Sequence, residues 1–244
     1  MGDGKFKVVI PARYGSSRLP GKPLLPIAGK PMLQHVFERA VQSGADEVVI
    51  ATDDQRIESA AAGFGAVVCM TSDAHESGTA RIAEVAEKLN WNEGTVVVNL
   101  QGDEPVMPPA LIGQVAAGLS LHAKAAVATL ACPLTERSEW LDPNVVKAVL
   151  DRDGFALYFS RAPVPFLRDT NDSDSLAALR HIGLYAYRAA FLKQYSMLEP
   201  SPLEAIEKLE QLRVLWHGMK IYVGIADERP GPGVDTREDL ERVA

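Results

Sequence analysis

The sequence predicts an α/β fold, with a Rossmann-like, doubly wound, mostly parallel sheet and a smaller α+β extension. Short runs of β-branched residues alternate with amphipathic segments in the first half of the chain. The runs are almost continuously apolar, which is typical of parallel strands covered on both faces. After residue 140 the alternation gives way to a hairpin pattern. In such a fold, ligands are expected at the carboxyl ends of the strands.

Four helices and five strands are predicted in the first part of the chain. The first helix has apolar residues at spacings of three and four from Met32 to Ala40. Pro31 suits its first turn and Gly44 suits its end. Further helices are predicted at residues 56–63, 79–90 and 109–122, and the strands at residues 8–10, 48–51, 66–69, 96–100 and 126–130.

The second part of the chain predicts a hairpin, two further strands and two helices. Gly154 can supply the positive φ of the hairpin turn. A capping box with Pro at its first helical position, residues 201–204, opens a helix expected to run to about His217. Thr236 is expected to cap a last helix through Ala244. The hairpin strands are predicted at residues 145–150 and 155–160, a mobile polar loop at 171–175, and the other strands at 182–187 and 221–225.

We expect one domain over residues 1–244, because no linker or internal repeat interrupts the pattern. Residues 1–135 are predicted to form the first part of this domain, with most of the parallel sheet. About residues 140–225 are expected to form the extension, and residues 226–244 to return to the main sheet.

Composition excludes several classes of protein. The chain has 244 residues, of which 47% are hydrophobic and 23% charged, so disordered, collagen-like and coiled-coil proteins are excluded. The net charge of −7 argues against a nucleic-acid partner, since binding to the phosphate backbone needs a basic surface. No segment suits a signal peptide or a membrane span, so we expect a cytoplasmic protein without membrane insertion. Cys69 and Cys132 lie in apolar stretches and are predicted to be reduced core residues.

The loop after the first strand combines three cations, two glycines and two hydroxyl groups. Such a loop at the carboxyl end of a strand is typical of a phosphate site. It is not a Walker A loop, because five residues separate Gly15 from Gly21 and Pro23 replaces the metal-binding Ser or Thr. From spacing alone, a solvated loop with incidental charges is an equally open interpretation.

Several segments carry a resemblance to a known family. Residues 10–24 (IPARYGSSRLPGKPL) resemble the signature loop of sugar-activating cytidylyltransferases. The other segments are similar to the branch that activates 3-deoxy-manno-octulosonate (Kdo), and they span nearly the whole chain: residues 98–105 (VNLQGDEP), 157–162 (LYFSRA), 180–185 (RHIGLY), 201–204 (SPLE), 209–213 (LEQLR) and 232–236 (PGVDT). The resemblance implies CMP transfer from CTP to Kdo for lipopolysaccharide biosynthesis, with Mg²⁺ as cofactor and a homodimer as the assembly. It also implies that residues 1–135 bind the nucleotide and that the extension at about residues 140–225 binds the sugar and dimerises.

The nucleotide is expected to lie against the first loop. Arg13 and Arg18 offer planar forks for phosphate oxygens, while Lys22 is a mobile point charge that can follow the leaving diphosphate. The expected CTP contacts are Ala12, Arg13, Ser16, Arg18, Lys22, Ser77, Gly78 and Arg81, the last three around the cytosine. The expected catalytic residues are Arg13, Lys22, Asp103 and Asp235.

Two acidic residues are candidates for the metal. Asp103 ends an apolar strand, where a carboxylate is well placed for Mg²⁺. Capping offers the alternative for both residues, of a turn for Asp103 and of the last helix for Asp235. The family pattern matches both positions and implies that both bind Mg²⁺. Shared metal sites would place their oxygens within about 4–6 Å of each other.

The resemblance also implies a set of sugar-binding residues. His181 and Tyr185 are four residues apart in an alternating run, so in a strand they share one face. A histidine that only makes a hydrogen bond in the core is the alternative. Glu210 could lie on a solvated helix face, because glutamates recur there at three-residue spacing. The full set is Gln101, Arg161, His181, Tyr185, Glu210 and Gln211.

Other functions stay open at this point. The acceptor could be a related sugar acid, such as sialic acid or 8-amino-Kdo. A nucleotide-sugar glycosyltransferase would normally have a D-x-D pair, whereas here Gly102 separates Gln101 from Asp103. A non-catalytic nucleotide-binding regulator would be expected to lack Lys22 or Asp103, and both are present.

Overall fold

The computed structural model describes residues 5–15, 19–75, 77–168 and 178–243. Within these ranges the strands are β1 Phe6–Ala12, β2 Pro26–Ile27, β3 Lys30–Pro31, β4 Glu47–Thr52, β5 Val67–Met70, β6 Val96–Asn99, β7 Val127–Pro133, β8 Lys147–Leu150, β9 Ala156–Ser160, β10 Leu179–Arg188 and β11 Ile221–Ile225. The helices are α1 Met32–Gln42, α2 Gln55–Gly63, α3 Gly78–Lys88, α4 Pro109–Leu121, α5 Arg137–Leu141, α6 Ala189–Tyr195, α7 Pro202–Glu207, α8 Gln211–Trp216 and α9 Arg237–Val243, with a 3-10 helix at Lys22–Leu24.

One large sheet organises the chain, and its main strand order is β11-β7-β10-β6-β1-β4-β5. Strands β6, β1, β4 and β5 pair with one another in parallel, and β7 pairs in parallel with β11. Strand β10 lies between β6 and β7 and is antiparallel to both. The β8–β9 hairpin extends the sheet from β10. The predicted α/β class, with a mostly parallel sheet and an added hairpin, is confirmed.

Hydrophobic cores lie on both faces of the sheet. Val8 and Ile10 of β1 face one core with helices α1, α2 and α4, while Val9 faces the other with α3, α6 and α8. All three valine and isoleucine side chains are fully buried. Two buried faces explain why the strands are apolar at every position. Cys69 and Cys132 are free and buried, as predicted.

The predicted helix from residue 201 to His217 is wrong. The capping box forms. The Ser201 hydroxyl accepts a hydrogen bond from Glu204 N at 3.1 Å, and the Glu204 carboxylate accepts one from Ser201 N. However, Lys208 adopts a left-handed conformation, with φ of +55°, and ends α7. The chain then turns and α8 begins after Glu210. The turn buries Leu209 in the core. This burial favours the break over a continuous helix with a solvated face.

The remaining predicted elements agree with the structure to within a few residues. Gly154 has φ of +81° in the β8–β9 turn, and α9 begins after Thr236. Pro31 precedes α1 by one residue instead of lying in its first turn. The predicted loop at 171–175 lies outside the described residues. No helix in the described ranges is both long enough and apolar enough to span a bilayer.

Candidate active site

A contact between Gly21 and Tyr14 positions Lys22 near the end of β1. Gly21 has φ of +68°, which favours glycine, and its N–H donates to Tyr14 O at 3.1 Å. A Cβ at Gly21 would also lie only 3.2 Å from the Tyr14 ring. Lys22 follows at the start of the 3-10 helix. Ser16 and Arg18, predicted to contact CTP, lie outside the described residues.

Lys22 joins three distant parts of the chain. Its ammonium donates to Asp103 Oδ2 at 2.7 Å, to Val234 O at 2.9 Å and to Asp235 Oδ1 at 3.2 Å. The lysine side chain is only 12% exposed. Because both carboxylate oxygens contact one nitrogen, they are at most about 6 Å apart. The structure therefore brings together the two acidic residues that the sequence paired.

Asp235 does not cap α9, because two other side chains do. Thr236 Oγ1 accepts from Asp239 N at 3.2 Å, and Asp239 accepts from Thr236 N at 3.0 Å. These two side chains cap α9, while the Asp235 carboxylate contacts Lys22. Val234 N donates to Asp103 O at 2.8 Å, which holds the segment before α9 against the turn after β6.

Gly102 allows that turn to lie directly on the end of β1. A Cβ on Gly102 would be 2.9 Å from the carbonyl oxygen of Pro11, and real Cβ atoms essentially never approach so closely. The neighbouring atom is backbone, so the contact cannot be relieved by a side-chain rotation. The position of Asp103 therefore depends on glycine at residue 102.

We expect Gly102→Ala to lower turnover by about tenfold or more, since displacements of about 1 Å at a reacting centre have such effects. Diphosphate release at saturating substrates measures it. Gly94→Ala is the matched control, because a Cβ there meets open space. Equal turnover in the two variants would mean that the turn can move without moving Asp103.

A cavity of about 350 Å³ opens beside this turn. One terminal nitrogen of Arg13 is buried and has no hydrogen-bond partner among the described residues. A buried guanidinium nitrogen without a partner is suited to an incoming anion. The predicted residues that line the cavity are Ala12, Arg13, Lys22, Gly78, Arg81, Gln101, Asp103 and Asp235.

The N-terminus of α3 forms the wall of this cavity. Arg81 is fully buried and donates to Asp53 Oδ2 at 2.6 Å and to the Thr71 hydroxyl. Ser77 caps α3 by accepting from Ala80 N at 3.1 Å, and its hydroxyl also contacts the Glu210 carboxyl. Ser77, a predicted cytosine contact, therefore lies toward Glu210 and is not in the lining of the 350 Å³ cavity.

A second cleft, of about 180 Å³, adjoins the first and shares Gly78 and Gln101 with it. Of the predicted sugar residues, it is lined by Gln101, Tyr185, Glu210 and Gln211. The break between α7 and α8 places Glu210 in the cleft instead of on a solvated helix face. Sequence reasoning missed Thr79, Asn99, Tyr187, Tyr195 and Lys208, which also line it.

Two of the missed residues carried a signal in the sequence. Tyr187 is two residues from Tyr185 on β10, so the strand period places them on one face. Their rings stack with centroids 6.0 Å apart. Asn99 is a polar residue at the end of a fully apolar strand, and it is buried. A polar residue in such a strand needs a partner, which indicates a network.

Burial raises the pKa of two carboxyl groups near the cavities, those of Glu210 and Glu104. It raises the pKa of Glu210 above the usual range, although hydrogen bonds from Thr79 and Ser77 oppose the shift. Burial and then the charge of Asp103 raise the pKa of Glu104 to about 7. Gln211 adds a donor to the cleft, since its Nε2 is buried and has no partner among the described residues.

Two predicted sugar residues are not in the lining of either cavity. Arg161 donates to Glu207 O at 2.7 Å and to Pro143 O at 2.9 Å, which directs its guanidinium to backbone carbonyls. His181 is hydrogen-bonded to Thr129 Oγ1 at 3.0 Å, with its ring 5.4 Å from that of Tyr185. Burial lowers the pKa of His181 to about 3, so the imidazole is neutral at pH 7. His181 contacts Tyr185 and lines neither cavity, which agrees with the alternative of a histidine that makes a hydrogen bond in the core.

Comparison with known proteins identifies related sequences. The family model described as cytidylyltransferase matches residues 7–221. A protein of Halorhodospira halophila named 3-deoxy-manno-octulosonate cytidylyltransferase is 58% identical over 245 residues, which cover 98% of this chain and 95% of its own. The protein of the same name from Actinobacillus pleuropneumoniae is 57% identical over 244 residues, covering 98% and 97%.

Solved structures give the same picture for the fold. The chain is similar to a CMP:2-keto-3-deoxy-manno-octonic acid synthetase complexed with CTP, with a TM-score of 0.90, 46% identity, and 98% and 96% of the two chains covered. A cytidylyltransferase from Leptospira borgpetersenii has a TM-score of 0.63 at 20% identity, covering 97% and 84%. This second likeness concerns the fold alone.

Proposed function

This chain belongs to the cytidylyltransferase family, and on that premise we propose that it transfers CMP from CTP to the anomeric hydroxyl of Kdo. The products are CMP-Kdo and diphosphate, for lipopolysaccharide biosynthesis. One observation carries the proposal: Lys22, Asp103 and Asp235 converge in the lining of a cavity with cationic side chains, and this cavity shares Gly78 and Gln101 with a cleft lined by hydrogen-bonding groups.

The reaction requires the sugar hydroxyl to attack the α-phosphorus in line while diphosphate leaves, so positioning and charge stabilisation are the main tasks of the protein. In the proposed complex, the buried unpartnered nitrogen of Arg13 donates to a phosphate oxygen. Lys22 exchanges its carboxylate partners for oxygens of the leaving diphosphate, which its flexible stem allows. Gln101, which lines both cavities, lies where the two substrates meet.

Magnesium is part of the proposal, and the residues present suit it. Asp103 and Asp235 offer two carboxylates within about 6 Å, and Mg²⁺ typically takes one or two carboxylates together with water and phosphate oxygens. The described residues contain no group of three or more His, Cys, Asp or Glu that could form an all-protein cage. Bound there, the ion would offset negative charge at the α-phosphate.

The acceptor is assigned to the second cleft. Gln211 Nε2 can donate to the sugar acid, while the Glu210 carboxylate can accept from its hydroxyl groups. The aromatic rings of Tyr185, Tyr187 and Tyr195 also line the cleft. A cleft with apolar ring faces and a few convergent polar groups is typical of small-ligand sites.

A substrate panel tests the proposed function. Diphosphate release is measured with CTP or UTP, each with Kdo, 8-amino-Kdo or sialic acid. We expect release with CTP and Kdo and little with UTP or sialic acid. Release with sialic acid or 8-amino-Kdo in preference to Kdo would assign another acceptor. Release with no pair would contradict transfer altogether.

Replacing Tyr185 with phenylalanine should raise the KM for Kdo by about fivefold to tenfold and leave the KM for CTP unchanged, because one hydroxyl contact of the sugar cleft is lost. Steady-state kinetics with each substrate varied in turn measure it. Tyr222→Phe is the control, since Tyr222 stacks on His122 and lines neither cavity. An equal effect on CTP would place the Tyr185 hydroxyl at the nucleotide.

We further propose a homodimer and a cytoplasmic location. Leu157 and Phe166, in or beside the β8–β9 hairpin, are 62% and 82% exposed, and a partner subunit on the extension would cover them. Two free buried cysteines suit a reducing compartment. Light scattering coupled to gel filtration gives the mass in solution, and a monomer at micromolar concentration would contradict the dimer.

A further inference from the structure

Three buried polar side chains lie along one wall of the sugar cleft. Thr79, Asn99 and Tyr187 are 4%, 2% and 5% exposed. They come from three elements, α3, β6 and β10. A buried polar group without a hydrogen bond is costly, so each side chain requires partners. Thr79 and Asn99 each form a hydrogen bond to a residue of the sugar cleft, and the Tyr187 hydroxyl, which is near both, can complete a chain of hydrogen bonds.

The chain runs between two residues that are proposed to contact the sugar. Gln101 Nε2 donates to Asn99 Oδ1 at 2.9 Å. The Tyr187 hydroxyl lies within hydrogen-bonding reach of both Asn99 and Thr79. Thr79 Oγ1 donates to Glu210 Oε2 at 3.3 Å. Gln101 and Glu210 are therefore each held by one buried side chain, and the Tyr187 hydroxyl can join those two side chains.

Chemistry allows this chain only one direction when Glu210 is ionised. A carboxylate only accepts, so Thr79 donates to Glu210 and its oxygen must accept from Tyr187. The Tyr187 oxygen then accepts from the Asn99 amide nitrogen, and Asn99 Oδ1 is left to accept from Gln101. This arrangement fixes the orientation of the Gln101 amide, with its nitrogen toward Asn99. Its carbonyl oxygen is then free to accept a hydrogen bond from a ligand.

We propose that Thr79, Tyr187 and Asn99 are positioning residues that hold the Gln101 amide and the Glu210 carboxylate as paired acceptors for the hydroxyl groups of the sugar acid. The inference rests on the proposed function, because it concerns the acceptor of that reaction. A polyhydroxylated ligand donates many hydrogen bonds, and two acceptors fixed in advance would select it without the entropic loss of ordering them on binding.

Two substitutions break the chain while conserving shape. Tyr187→Phe removes the hydroxyl and keeps the ring, which stacks between Tyr185 and Phe191 with centroids 6.0 and 5.9 Å away. Thr79→Val removes the donor to Glu210, and Thr79→Ser restores it. We expect each of the first two to raise the KM for Kdo by about fivefold to tenfold, with the KM for CTP nearly unchanged. Thr79→Ser should return the KM for Kdo close to the wild-type value.

A double variant tests whether the residues act as one unit. If Tyr187 and Thr79 belong to one chain, cutting it twice should have little more effect than cutting it once. The KM for Kdo of the Tyr187→Phe, Thr79→Val enzyme is therefore expected to equal that of the single variant with the higher KM. Independent contacts would instead multiply their effects.

Several results would overturn the proposal. If the wild type is active and both single variants have an unchanged KM for Kdo, the proposed chain is contradicted, while the proposed function is not. An equal rise in the KM for CTP, or multiplied effects in the double variant, also contradicts it. A wild-type enzyme that releases no diphosphate from CTP and Kdo overturns both inferences, and the substrate panel identifies that case.

Discussion

Lys22→Ala should lower the turnover number by roughly 10²–10³, the loss typical of deleting one group that stabilises charge in a transition state. The lysine is the cation proposed to follow the leaving diphosphate, and it also neutralises Asp103 and Asp235. Diphosphate release at saturating CTP and Kdo measures the effect. Lys30→Ala is the matched control, because Lys30 is 47% exposed and pairs with Glu38.

The same substitution should also cost stability, which the sequence alone did not predict. A solvated loop lysine contributes little, but Lys22 is mostly buried and contacts three acceptors from the middle and end of the chain. The two carboxylates are one-third and one-half exposed, so water moderates the loss to about 1 kcal/mol. Thermal unfolding checks it. Wild-type turnover in Lys22→Ala would remove the catalytic role, whatever the melting temperature.

Asp103→Asn and Asp235→Asn should each abolish most of the activity, with losses of about 10³-fold or more, because each removes a charged ligand from the proposed magnesium site. The amide keeps the shape of the carboxylate, and Lys22 keeps its other acceptors. We therefore expect little change in melting temperature without added metal. Turnover measured over a range of Mg²⁺ concentrations separates weaker metal binding from a slower reaction.

Asp153→Asn is the control for these variants, since Asp153 lies in the β8–β9 turn and its side chain is 69% exposed. Substantial activity in either Asp103→Asn or Asp235→Asn, at a Mg²⁺ requirement like that of the wild type, would contradict a shared metal site. The remaining explanation for the acidic pair would then be its contact with Lys22.

Local patterns in the sequence were sufficient for most of the elements. The apolar runs at β1, β4 and β6 needed no knowledge of their neighbours, because two-sided burial imposes the same signal on every parallel strand. The position of β10 was not predictable in this way. Its pairing with β6 and β7 joins residues far apart in the chain, and a strand carries no local mark of the partners it will have.

The site was predictable where the loops follow strands, and less so beyond them. Asp103 ends β6, and its place at the sheet edge followed from the strand itself. The left-handed conformation of Lys208 was not predictable from the sequence. Lysine is a good helix former, and only the tertiary packing of Leu209 favours the break. The surroundings of Arg161 were not predictable, because a motif identifies a residue type but not the carbonyl groups that its guanidinium contacts.

The bond from Lys22 to the carbonyl of Val234 spans 212 residues of sequence. Contacts of such separation form late, since the entropy of closing a long loop must be overcome before they give any stabilisation. The β1–β4 pairing and the helices around it can form from neighbouring segments, whereas the proposed catalytic cluster of Lys22, Asp103 and Asp235 needs both ends of the chain. During refolding, the circular dichroism of the helices should therefore recover before enzymatic activity. A nascent chain still lacking its last residues would hold an assembled sheet edge without a complete catalytic centre.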